Sequence, residues 1–227
     1  MLTVVGMGSP NVLKVLLFLE EAGLPYRFER CDVILGEQHF PGFTAFNPNR
    51  KVPVLVDDEG DEPLVIAESG AILVYLAERT GAFLPRSGAA RYAVLQWLMF
   101  QMSGIGPVFG HTIHLTSFAA GETYAVRRFT RELARLVTVM EERLSSREYL
   151  AGDDYSIADI AAWPWMRTGK RFFPDGFSSP ALARWMEAIA ARPAATRMEQ
   201  IADDLAARDR ESFKAATPEQ LDRYFGR

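Results

Sequence analysis

Two short segments of the 227-residue chain place hydroxyl, amide and carboxylate groups where a helix begins. In Ser9-Pro10-Asn11, serine is a preferred helix cap, and proline loses nothing at the first helical position because its N–H would be unpaired there. In Glu68-Ser69, an acid stands beside a second capping hydroxyl. An acid there can meet a cationic group, while the hydroxyl and the helix N–H groups can hold an anionic one. Read alone, the pair is better explained as a plain cap behind a solvated acid, since such caps are common.

Other chemistries are set aside by what stands where. Gly6-Met7-Gly8 is not a dinucleotide fingerprint, because a third glycine would be needed at position 11, which is Asn11. Cys31 is the single cysteine, so no intrachain disulfide, cysteine-built metal cluster or Cys-x-x-Cys dithiol can form. It falls on a predicted strand and reads as a buried small hydrophobe. His111 and His114 are three apart, as a metal pair would be. No third histidine or nearby acid completes the set, and no metal is expected. They are expected to face a pocket beside Phe109, or solvent.

Elements must hold these groups in place. Leu2-Thr3-Val4-Val5 is an apolar run ending at Gly6, as a buried strand would read. The apolar segment Asn11 to Ala22 follows as a helix, stopped by Gly23. Tyr26 to Cys31 alternates like a strand, and Leu35 to Phe46 reads as a loop or short irregular helix. Val52 to Val56 and Pro63 to Ala67 read as two strands joined by the turn-forming Asp57-Asp58-Glu59-Gly60-Asp61. A helix capped by Ser69 runs to Arg79, with Ile72, Tyr75 and Leu76 on one face. The order β-α-β, long connection, β-β-α predicts a small mixed sheet with helical cover over residues 1–80. Residues 81–87 read as a linker, and 88–227 as an all-helical domain. There, Glu122 to Leu144 carries an apolar stripe at helical spacing. Ser156-Ile157-Ala158-Asp159 is a capping box with the shorter acid, and Ala181 to Ala190 is a further helix. The tail from Asp203 is polar and is expected as a loosely docked helix or a frayed end.

Bulk properties narrow the class. Hydrophobic residues make up 48%, enough for a substantial core, and the net charge of −4 offers no basic field for nucleic acid or acidic lipid. No apolar run approaches the roughly 20 residues of a membrane span, and no signal-peptide pattern opens the chain. A cytoplasmic protein in a reducing compartment is expected.

The string Asn47-Pro48-Asn49-Arg50-Lys51-Val52-Pro53-Val54-Leu55, followed by Glu68-Ser69-Gly70-Ala71-Ile72-Leu73 and Tyr75-Leu76, resembles the glutathione-binding half of a glutathione S-transferase. Leu150-Ala151-Gly152 with Tyr155 to Asp159 is similar to the helix-start motif of that family's second domain. Ser9-Pro10-Asn11 and Trp163-Pro164-Trp165 resemble the bacterial Nu class and its fungal Ure2-like relatives. The resemblance implies an α/β thioredoxin-like N-terminal domain plus an all-α helical C-terminal domain.

It also implies roles. Val52 precedes a cis proline and offers its backbone N–H and C=O to the cysteinyl part of glutathione. Glu68 and Ser69 hold the γ-glutamyl end, while Gln38 and Lys51, more than Arg50, receive the glycyl carboxylate. Ser9 and Asn11 stand where the family places its thiol-activating group. The Nu-like pattern has threonine in place of Ser9; the hydroxyl is retained and the stiffness of threonine is lost. The alternative for Ser9 is that it merely caps the helix; both can be true of one residue, but its hydroxyl cannot point both ways at once. A homodimer is implied, with Arg128 reaching the partner's glutathione; the alternative is a solvated helix face shared with Arg131 and Arg135. The implied activity is glutathione transfer to a small electrophile, or reduction of a disulfide by bound glutathione. A non-catalytic glutathione-binding or regulatory protein on the same fold is the alternative. Intact Ser9, Asn11, Glu68 and Ser69 argue against it.

Overall fold

The computed structural model describes residues 1–119, 121, 123–173 and 179–226. By contacts the chain divides into two units, Met1–Leu76 together with Pro193–Arg227, and Ala77–Arg192.

The first unit holds β1 (Leu2–Gly6), α1 (Pro10–Ala22), β2 (Tyr26–Arg30), a single 3-10 turn (Glu37–His39), α2 (Pro41–Phe46), β3 (Val54–Asp57), β4 (Leu64–Ala67) and the start of α3 (Ser69–Thr80). The strands lie in the order β2-β1-β3-β4. β1 and β2 are parallel, with Gly6 opposite Arg30. β3 is antiparallel to both neighbours, with Val54 opposite Val5 and Ala67. The expected mixed sheet is therefore present. β1 is buried along its whole length, and Val12 to Leu19 of α1 are buried against it. Gly6 permits that approach: a Cβ there would sit 2.7 Å from Val12 Cγ2. Gly23 ends α1 in the left-handed region, at φ 62°, and returns its N–H to Leu19.

The polar tail is ordered. α9 (Pro193–Ala215) packs along α1. Arg197 grips Glu20 through its carboxylate at 2.6 Å and its carbonyl at 2.9 Å. After a Thr217–Gln220 capping box, α10 (Pro218–Phe225) follows, and Gln220 donates to the Leu35 carbonyl at 3.0 Å. Element type divides the chain near residue 80; contact returns its last two helices to the first unit.

The second unit is helical: α4 (Gly88–Phe100), a π-turn (Gln101–Ile105), α5 (Gly106–Phe118), α6 (Thr123–Leu144), α7 (Ile157–Phe172) and α8 (Pro180–Ala190). Glu122, the expected start of α6, lies outside the described residues. The capping box is formed at the head of α7. Asp159 Oδ2 accepts the Ser156 N–H and hydroxyl, at 3.1 and 3.0 Å. Among the described residues no strand follows Ala67, and no helix is long and apolar enough to cross a membrane.

Candidate active site

Strand directions bring the candidate residues of the first unit to one edge of the sheet. β1 and β2 run parallel and β3 runs against them, so the ends of β1, β2 and β4 and the start of β3 share that edge. Ser9 and Asn11 follow β1, Gln38 follows β2, Lys51 and Val52 precede β3, and Glu68 and Ser69 follow β4. Across the edge their order is that of the strands.

Ser9 caps α1 by accepting the Val12 N–H on its Oγ at 3.3 Å. This is the cap read from Ser9-Pro10. The cap uses an oxygen lone pair and leaves the O–H proton to donate elsewhere. Asn11, half-buried, is the second residue of the helix.

The Val52–Pro53 bond is cis, as expected. Asn47, buried in the loop ahead of it, organises the approach. Its Nδ2 donates to the Lys51 carbonyl at 2.8 Å and its Oδ1 accepts the Asn49 N–H at 2.9 Å. Among the described residues, no hydrogen bond engages the Val52 N–H or carbonyl. Lys51 and Arg50 are exposed, and Arg50 adopts a left-handed φ of 57°. Gln38 donates its Nε2 to the Val33 carbonyl at 3.2 Å, and its buried Oε1 has no hydrogen-bond partner among the described residues.

Glu68 is exposed and left-handed, with φ 69°. A non-glycine residue pays about 1–2 kcal/mol for that conformation. Its carbonyl accepts the Ile72 N–H at 3.0 Å, the first bond of α3. The cap position is thus Glu68, and Ser69, expected as the cap, is the buried first residue of the helix. Beneath this edge lies Lys14, 0% exposed on α1. Burial lowers its pKa to about 7, and the Glu68 charge opposes that shift.

Arg128 belongs to the second unit and is exposed on α6, where a cavity of about 770 Å³ is lined by Arg127, Arg128, Arg131 and Arg135. Arg135 pairs with Glu132 at 2.6 Å. His111 is exposed, stacks on Phe129 at 5.1 Å and contacts the Pro107 carbonyl through Nδ1. No metal-holding group occurs among the described residues. Cys31 is buried among Val5, Phe43 and Val54, one residue beyond β2. Burial first, then Glu37 and Asp32, pushes its thiol up to about 11.

Sequence reasoning missed Asn47 as a loop organiser; asparagine two residues before a turn donor is the one signal it left. It also missed a polar cluster formed by Arg30, Asp32, Asp209 and Ser212. Three of these four residues are buried, and no local pattern marks them.

Comparison with known proteins identifies the family. The model of the glutathione S-transferase N-terminal domain matches residues 8–79, and that of the C-terminal domain matches residues 107–193. The chain is 46% identical over 191 residues to the disulfide-bond oxidoreductase YfcG of Escherichia coli, covering 82% of this chain and 88% of that one. A glutathione transferase family member from Pseudomonas fluorescens, solved with two glutathione molecules bound, superposes with a TM-score of 0.82 at 39% identity, over 87% of this chain and 91% of that one. A glutathione transferase from Pseudomonas putida, solved with one glutathione disulfide per subunit, gives 0.80 at 36%, over 87% and 90%. A thioredoxin-like unit with its cis-proline loop and helix-start hydroxyl, joined to a helical unit and matched by both domain models, places this chain in the glutathione S-transferase family.

Proposed function

We propose that the protein is a glutathione-dependent enzyme that reduces disulfides with the sulfur of bound glutathione, and that the same thiolate conjugates small electrophiles. The observation that carries this reading is Cys31. It is the chain's single cysteine, it is buried, and its thiol is pushed up to about 11. The protein has no reactive sulfur of its own, so the thiolate must come from the substrate. The names of the relatives, a disulfide-bond oxidoreductase and glutathione transferases, point the same way.

The strand order supports a pose. Three inter-strand spacings of about 4.8 Å span roughly 14 Å, the scale of an extended tripeptide with a γ-linked residue. Glu68 and Ser69 at the β4 side take the γ-glutamyl ammonium and carboxylate. Val52 takes the cysteinyl backbone with its uncommitted N–H and carbonyl. Gln38, beyond β2, and Lys51 take the glycyl carboxylate. The thiol then lies near Ser9 and Asn11, at the positive end of α1. Lowering a thiol pKa from about 8.5 to 6.5 takes about 2.7 kcal/mol. A helix terminus and two neutral donors are of that order.

The thiolate attacks one sulfur of a small disulfide, forming a mixed disulfide and releasing the other half as a thiolate that takes a proton. A second glutathione thiolate attacks the mixed disulfide. Glutathione disulfide and a second thiol are released, and two electrons pass from two glutathiones to the substrate. A cytoplasmic setting supplies the reductant, and a homodimer brings Arg128 to the partner's ligand.

The test is retention on immobilised glutathione, then turnover of a small dialkyl disulfide by the wild type and Cys31→Ser. Equal turnover by both is expected. Retention without turnover would leave a binding protein, and loss of turnover in a folded Cys31→Ser would return the chemistry to the protein's own thiol. Ser9→Ala alone should lower turnover modestly, and Ser9→Ala with Asn11→Ala should remove most of it.

A further inference from the structure

The turn that leads into α1 is held from the far end of the chain. The Gly8 N–H donates to Asp209 Oδ2 at 3.1 Å, across 201 residues. A Cβ at Gly8 would sit 2.4 Å from that oxygen, so the carboxylate lies directly over the residue before Ser9. The turn itself is tight, with the Ser9 N–H bonded to the Met7 carbonyl at 2.8 Å. Met7 is buried on one side and α1 begins on the other. Gly8 has no side chain to anchor it, so the bond to Asp209 fixes its peptide plane.

Asp209 is itself fixed. Its Oδ1 accepts Arg30 Nη1 at 2.6 Å. Arg30 Nη2 bonds Asp32 Oδ2 and Ser212 Oγ, each at 2.9 Å, and the Ser212 hydroxyl donates to Asp32. Asp209 and Ser212 are three apart on α9 and so share a face. The Asp32 Oδ1 accepts the N–H groups of Ile34 and Leu35, at 3.1 and 3.2 Å. One charge-assisted chain therefore joins α9 to the turn carrying Ser9 and to the loop leading to Gln38.

We propose that Asp209 is a positioning residue for thiol activation: by holding the Gly8 peptide it aims the Ser9 and Asn11 donors at the glutathione sulfur. This rests on the glutathione reading above. Donors act on a developing thiolate only when held to within about 0.5 Å of the productive geometry. Asp209 meets the Gly8 N–H and the Arg30 guanidinium, and it acts on Ser9 and Asn11 through the turn. The residues assigned to the ligand's two ends, Glu68, Ser69, Gln38 and Lys51, are not bonded to it.

The experiment compares Asp209→Ala and Asp209→Asn with the wild type, and places Asp209→Ala in the Ser9→Ala, Asn11→Ala background. Arg30 keeps Asp32 as a partner in every variant. Asp209→Ala should lower kcat about tenfold, as expected for donors misplaced by a fraction of an ångström. The Kd for glutathione should stay within about twofold, because its two ends are held elsewhere. The absorbance titration of the bound thiolate should move to higher pH. Asp209→Asn keeps an oxygen for the Gly8 N–H only by turning its NH2 toward Arg30, and should recover kcat in part. In the background lacking both donors, Asp209→Ala should change kcat less than about twofold, since coupled sites are non-additive. A full loss in that background, or kcat and Kd worsening together with an unmoved thiolate titration, would overturn the proposal in favour of a merely structural role. So would unchanged hydrogen exchange at the Gly8 amide in Asp209→Ala, whatever the turnover. Failure of the wild type to bind glutathione would instead overturn the functional reading on which the proposal stands.

Discussion

Trp185 donates its indole N–H to Asp159 Oδ1 at 2.9 Å, in the buried interior of the helical unit. The same oxygen accepts the Leu150 N–H at 3.0 Å, while the other serves Ser156 twice. Burial raises the Asp159 pKa, and these four bonds oppose it. Asp159→Asn puts an NH2 group against two donors on one side or the other. It should cost about 2–3 kcal/mol, the penalty of unsatisfied buried donors. Trp185→Phe removes one bond and some packing and should cost about 1–2 kcal/mol. Urea denaturation checks both, and an Asp159→Asn protein as stable as the wild type would show that the carboxylate is not the hub of this unit.

Lys14 makes stability depend on pH. Its folded pKa is lowered from 10.5 to about 7, chiefly by burial, with Glu68 opposing. Between those values the unfolded chain binds the additional proton, so stability rises with pH through that window. The penalty is present in full below pH 7. From pH 7 to 8.5 the gain should be about 2 kcal/mol. Cys31, with its pKa raised from 9.0 to about 11, acts in the opposite sense only from about pH 9 upward. Denaturation at pH 7.0 and 8.5 should show the rise, and Lys14→Met should flatten it.

Glu68→Ala should weaken glutathione binding by about tenfold or more, because an ammonium loses its charged partner. Glu68→Gln keeps an acceptor without the charge and should fall between. Calorimetric titration of both variants is the check. Unchanged affinity would mean that the γ-glutamyl end lies elsewhere.

Arg128→Ala should weaken glutathione binding while sedimentation still reports a dimer. A guanidinium grips a carboxylate with two parallel bonds, and Arg128→Lys should therefore not restore affinity. Full affinity in an intact dimer would return Arg128 to the solvated face it shares with Arg131.

Much of this molecule was legible in the order of its residues. The Val and Leu runs of β1, β3 and β4 read as strands because burial on a sheet selects them, and Ser9-Pro10 and Ser156-Asp159 announced their helices because caps are local chemistry. The candidate site was legible at the level of residue type. What was hidden is of two kinds. Glu68 in the left-handed region is a matter of backbone angle, which residue type leaves open. The place of α9 was hidden because Asp209 and Ser212 are polar residues in polar text, and their burial is decided by Arg30, some 179 residues away. Periodicity reports which face is apolar, and a buried ionic cluster leaves no such trace.

The unit that carries Ser9 is discontinuous in sequence: Met1–Leu76 is completed by Pro193–Arg227. A ribosome therefore delivers the parts out of order. The helical unit, contiguous from Ala77 to Arg192, is finished while the first unit still waits for the helix that covers α1. During synthesis the second unit can close before the first, reversing the usual order in which the leading domain folds first. A nascent chain that has emerged from the ribosome only as far as Arg192 should protect α6 and α7 from proteolysis and leave α1 open to it, so that the unit carrying Ser9 matures only after α9 has emerged.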